Sequence, residues 1–136
     1  LAALSKDPLV KDPVGRRIVA SFMENTAENF FTQQRYDSAG PLLENCSKID
    51  PDSLSCRFFL ALVLKKWGKY NESLKSFEAS LKLLNAKSLA GNLDSNDLYM
   101  YERIYMELNK PDMADKYRKY IDTGGTPNPA NGNSAP

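Results

Sequence analysis

The stretch GKYNESLKSFEASLKLL, residues 68–84, reads as an amphipathic helix entered through a glycine turn. Moving back along the chain by 34 residues lays RYDSAGPLLENCSKIDP (35–51) over KYNESLKSFEASLKLLN (69–85). Tyr36 then meets Tyr70, Ala39 meets Ser73, Leu43 meets Phe77 and Cys46 meets Ser80. Upstream, Ala27 meets Ala61 and Phe30 meets Leu64. Small residues fall on small ones, and large apolar residues mostly on large apolar ones. A fixed period of this length is the signature of a supersecondary unit that buries its apolar face by stacking on its neighbours.

The physical chemistry of each position fits a helical hairpin. Small residues at Ala27, Ala39, Ala61 and Ser73 let paired helices approach closely while large side chains fill the grooves beside them. Gly68 suits a turn after LKKW, where a positive φ is cheap only for glycine. Asp37 and Asn71 share a position and are expected to cap the second helix of each unit. With Asp37 as cap, Pro41 would remove only the first bond of its helix.

A third, diverged unit follows in DLYMYERIYMELNKPDMADKYRKYID (97–122), with Asp112 in the position of Asn71. Its spacing exceeds the period by seven residues, which fall in AKSLAGNLDSND as a longer loop or an extra helical turn. Leu98, Tyr101, Tyr105, Leu108, Met113, Ala114, Tyr117 and Ile121 keep a helical apolar pattern, although Glu102 stands where a small residue is usual. Helices are expected near 14–34, 37–48, 53–67, 71–84, 96–109 and 112–122.

This pattern resembles the tetratricopeptide repeat, whose motif is W-x2-L-G-x2-Y, then A-x3-F, then P. The first copy carries Met23-x2-Thr26-Ala27-x2-Phe30, Ala39-x3-Leu43 and Pro51; the second carries Arg57-x2-Leu60-Ala61-x2-Leu64 and Ser73-x3-Phe77, with Asn85 for the proline. The resemblance covers about residues 20–122. It implies an all-α fold, a right-handed superhelix of about three helix-turn-helix repeats over 20–51, 54–85 and 95–122. The helical domain is expected over 14–122, after an N-terminal extension (1–13) and before a disordered tail (123–136) rich in Gly, Pro and Asn.

Composition narrows the function. The chain has 136 residues, a net charge of +1 and no histidine. No global field recruits nucleic acid or an acidic membrane. The longest apolar run, Phe58 to Leu64, is far too short to span a bilayer. General acid–base catalysis and catalytic metal sites draw on histidine most often, and two cysteines cannot build a four-ligand zinc site. Hydrolase triads, phosphate-binding loops and dinucleotide fingerprints are missing from the sequence. A carboxylate-only enzyme, such as a lytic glycosidase, stays open but is supported by no motif. No enzyme activity, cofactor or metal is therefore expected.

The resemblance implies an interaction scaffold whose first helices line a concave groove for a peptide or helix of another protein. The family's groove-facing positions fall on Glu24, Glu28, Phe58, Leu62, Lys65, Tyr99, Arg103 and Met106. Phe58 and Phe59 cannot both face one side of a helix, so one of them is expected at a binding surface. The subclass that grips a terminal carboxylate with Lys and Asn does not fit, because Glu24 and Glu28 would repel it. Lys65, Lys66 and Lys69 read as a solvated hairpin tip, with a polyanion site as the alternative. Tyr99, Tyr101, Tyr105, Tyr117 and Tyr120 make the C-terminal hairpin tyrosine-rich; most are expected to pack it, and any left exposed would offer a self-association surface.

Cys46 and Cys56 flank the turn between the first two units, where they could form a disulfide or remain two buried thiols. The sequons Asn45-Cys46-Ser47 and Asn71-Glu72-Ser73 lie in helices and are read as chance matches. The chain opens at Leu1 rather than Met, so a mature chain after signal removal, or a segment of a longer one, is expected. Together with a disulfide, this points to a periplasmic or otherwise exported bacterial protein, an envelope assembly factor for example; the alternative is a cytoplasmic adaptor.

Overall fold

A computed structural model describes residues 11–125 of the chain. Most of the expected tail and most of the expected N-terminal extension lie outside the described residues. Those described fold into six helices and no strand: α1 (Pro13–Thr32), α2 (Tyr36–Ile49), α3 (Leu54–Lys66), α4 (Tyr70–Leu89), α5 (Ser95–Glu107) and α6 (Pro111–Thr123). Thr123, the first residue of the expected tail, instead ends α6. The chain divides within α4 into two compact units, residues 1–76 and 77–136.

Three turns repeat one solution. Gln34, Gly68 and Asn109 all adopt positive φ, at 59°, 83° and 57°. In each, the residue after the helix donates its N–H three residues back and the next donates five back. The pairs are Gln34 to Phe31 with Arg35 to Phe30, Gly68 to Lys65 with Lys69 to Leu64, and Asn109 to Met106 with Lys110 to Tyr105. This double bond satisfies carbonyls that the helix end would otherwise leave open. The following helix then starts two residues after the left-handed one, at Tyr36, Tyr70 and Pro111.

That geometry corrects the expected caps. Asp37 and Asn71 are the second residues of α2 and α4, not their N-caps. Arg35 caps α2 without a side-chain capping bond; its guanidinium donates to the Ser38 hydroxyl at 3.4 Å and lies over the Phe30 ring, 4.6 Å from its centroid. Lys69 sits likewise 3.8 Å over Trp67. Asp37 and Asp112 still help, because a carboxylate in the first turn faces the positive end of the helix dipole. Pro41 falls within α2, two residues further from the N-cap than expected. It costs the Asp37 carbonyl its helical partner.

In the first unit, Ala27, Ala39, Leu43 and Val63 are fully buried and draw α1, α2 and α3 together, with Phe30, Phe31, Tyr36 and Phe59 packed around them. Phe31 meets Phe59 edge-on, with ring centroids 5.3 Å apart. Gly40 is buried beneath Trp67: a Cβ added there would lie 3.0 Å from the indole ring. Ser73 donates its hydroxyl to the Ala61 carbonyl at 2.8 Å, and Ser76 to Arg57 at 2.7 Å. The first bond accounts for Ser73 where the first copy carries Ala39; Ser76 stands where the first copy carries Leu42.

In the second unit, α4 runs on to Leu89, five residues past the expected end, so part of the seven-residue insertion is helix. Gly91, at φ 73°, closes it with the same pair of bonds. Asp94 caps α5 in a reciprocal box: it accepts from the Asp97 N–H at 2.8 Å, and Asp97 accepts from the Asp94 N–H at 3.0 Å. Lys87 pairs with Asp97 at 2.7 Å. The Asp97 N–H, aided by Lys87, holds the Asp94 carboxyl below its ordinary range against a desolvation cost. Tyr101, Tyr105 and Tyr117 are buried in one stack, the closest pair, Tyr101 and Tyr117, having centroids 4.1 Å apart. Tyr101 donates its hydroxyl to Asn85. Glu102, the misfit in the small-residue position, answers Arg118 of α6 at 3.4 Å.

Candidate functional site

The residues expected at a binding surface fall on three helices, and each unit is described separately. In the first unit, Glu28 is exposed on α1, while Phe58, Leu62 and Lys65 are half-buried on α3. Phe58 and Leu62 are four residues apart, so they share one face a helical turn apart. Phe59 packs on Phe31, and it and Phe58 are both half-buried. Glu24 is engaged: its carboxylate accepts from the Ser55 hydroxyl at 2.7 Å and ties α1 to the start of α3.

In the second unit, Tyr99 and Met106 are 49% and 61% exposed on α5. Arg103 lies between them, its guanidinium 3.6 Å from Glu107 and largely in solvent. Tyr99 and Met106 are seven residues apart and Arg103 is one turn from each, so the three make an apolar stripe with a cation in the middle. Of the five clustered tyrosines, only Tyr99 is exposed; Tyr120 is half-buried against Tyr117 at 5.8 Å.

Cys46, at the end of α2, is joined to Cys56, in the first turn of α3, by a disulfide with Cα atoms 5.9 Å apart. Both sulfurs are fully buried beside Ala20 and Met23. The Glu24 carboxylate approaches Cys56 Sγ at 3.9 Å. Carboxylate and sulfurs cluster closely enough to suggest ligands. Sulfurs bonded to one another, however, are not the thiolates a metal requires.

One surface has no counterpart in the expectations. Val14, Ile18 and Phe22 stand 54%, 58% and 72% exposed along α1. Their four-residue spacing was readable in the sequence. The repeat register begins only near residue 20, however, so nothing there marked this side of α1 as unburied.

Helices paired by matching turns, two of them a fixed 34 residues apart, define a helical-hairpin repeat protein. Residues 54–83 match the family model for the tetratricopeptide repeat. The match falls on the α3–α4 hairpin and supports a tetratricopeptide repeat family. Repeats of this family serve in protein–protein interaction. No curated protein matches the chain. Among the described residues, no helix is long and apolar enough to cross a membrane.

Proposed function

We propose that this protein is a non-enzymatic scaffold that binds a peptide or helix of another protein along the first helices of its repeats. The observation that carries the reading is the repeat match over 54–83, joined to the apolar side chains that α3 and α5 leave at their surfaces. Phe58 and Leu62 offer one anchor, flanked by Lys65; Tyr99 and Met106 offer another, flanked by Arg103. Each pair is held on a rigid helix, so little ordering entropy is lost on binding. The cations favour a partner segment that carries acidic residues. Glu28 on α1 disfavours an anion there.

An exported, oxidising setting such as a bacterial envelope suits the buried Cys46–Cys56 disulfide, and a role in assembly there suits a binding scaffold. Protein isolated from its native source, denatured and alkylated before reduction and weighed intact, should carry no label; a doubly labelled chain would favour a reducing cytoplasm.

The binding reading is tested with a partner captured from that source. Phe58→Ala and Tyr99→Ala should each weaken its binding by about thirtyfold or more, the usual cost of removing an aromatic anchor. Wild-type affinity in both variants, with their folds intact, would exclude these helices as the binding surface.

A further inference from the structure

The internal repeat tells what should cover the apolar stripe on α1. Subtracting 34 from positions on α3 gives their equivalents on α1. On α3, Cys56, Phe59, Leu60 and Val63 face the preceding hairpin. Cys56 and Val63 are fully buried there, and Cys56 is bonded to α2 itself. The equivalents on α1 are Phe22, Asn25, Thr26 and Asn29. Asn25 and Asn29 are exposed and polar, and Thr26 turns its hydroxyl back to the Phe22 carbonyl at 2.9 Å. Phe22 breaks that polar pattern. It continues upstream through Ile18 and Val14, on a part of α1 for which the shorter α3 has no counterpart.

We infer that Val14, Ile18 and Phe22 are a docking surface for a short amphipathic helix of a partner protein, one bearing acidic residues beside its apolar face. Phe22 is the stripe residue with a counterpart on α3, and that counterpart, Cys56, is bonded to helix α2, so a helix is the shape suggested for the occupant. The stripe spans eight residues, about 12 Å of helix, enough for three apolar contacts from the partner. Charge chooses the partner's flanks. Residues 11–22 contain Lys11, Arg16 and Arg17 against one acid, Asp12, and Lys11 and Arg17 are exposed. The N-terminal end of α1 adds its own positive potential. Anionic lipid is a poorer fit, because Glu24 and Glu28 follow on the same helix and would meet the headgroups. This surface is separate from the α3 and α5 residues assigned above and does not depend on that assignment.

The test uses two designed helical peptides of sixteen residues, each with leucines at i, i+4 and i+8, one flanked by glutamates and the other by lysines. Each is titrated against the full chain and its Ile18→Ser, Phe22→Ser and Arg17→Glu variants. Because these side chains are exposed, the variants should keep the wild-type circular dichroism and melting temperature. The glutamate peptide should bind the wild type about tenfold more tightly than the lysine peptide. Ile18→Ser and Phe22→Ser should each weaken it by about fivefold or more, and Arg17→Glu should erase the preference between the peptides. Equal affinity for the two peptides, or indifference to both serine variants, would overturn the proposal. So would dimers of the wild type, seen by sedimentation and abolished by Phe22→Ser, since the occupant would then be a second copy. Vesicles of phosphatidylcholine and phosphatidylglycerol that capture the wild type but not Phe22→Ser, while neither peptide binds, would assign the stripe to a membrane instead.

Discussion

Gln34 occupies the one hairpin turn whose left-handed residue is poorly suited to it. Its φ of 59° matches Gly68 in the next turn and Asn109 in the last. Glycine pays nothing for that conformation and asparagine little, whereas a residue with an ordinary Cβ pays roughly 1–2 kcal/mol. Gln34 is exposed, so no packing contact compensates. Replacing it with glycine removes the strain but frees the unfolded chain, leaving a net gain of about 0.5–1 kcal/mol. Gln34→Gly should therefore raise the melting temperature by a few degrees. An unchanged or lower value would show that the turn is not strained. The same substitution at Asn109 should do less.

At the scale of the element, the α5–α6 hairpin is held by its tyrosines. Burial pushes the Tyr105 hydroxyl up to about 12, and Tyr101 and Tyr117 shift in the same direction for the same reason. A hydroxyl whose folded pKa lies above its unfolded value of about 10 keeps its full contribution at lower pH. As pH rises past about 10, the unfolded chain releases protons that the folded one retains, and stability falls. Alkaline titration should accordingly ionise the three stacked rings only as helical circular dichroism is lost. Ionisation of those rings while the helices stay intact would show the stack to be open to solvent.

The elements were largely legible in the sequence, and the reasons they were not entirely so are local. The 34-residue register located the first two hairpins because it follows from small residues such as Ala27 and Ala61 that packing demands, and the helical apolar pattern from Leu98 to Ile121 located the third. Helix starts were misjudged at Asp37 and Asn71 because cap preference favours those side chains. The turn bonds already satisfy the ends of α1 and α3, and the next helix begins one residue before the expected caps. The end of α4 was hidden because the seven inserted residues could equally have been loop. Of the surface, Tyr99, Arg103 and Met106 could be placed from the repeat pattern. The Val14–Ile18–Phe22 stripe could not, because exposure depends on what lies beside a helix and not on its own periodicity.

For the molecule as a whole, the central claim is that the first helices of its repeats receive a partner. The proposed anchors are Phe58 and Leu62 on α3 and Tyr99 and Met106 on α5, whereas α2, α4 and α6 bury residues such as Ala39, Phe77 and Tyr117. Within each unit, a segment bound on the exposed side of α3 or of α5 would make no contact with the solvent side of α2 or of α6. Hydrogen–deuterium exchange of the chain, alone and saturated with a partner captured from its native source, reads this directly. The scaffold assignment predicts added protection in residues 54–66 and 95–107, with exchange in 36–49 and 111–123 unchanged. Protection confined to those second helices, with 54–66 and 95–107 exchanging as in the unbound chain, would contradict it.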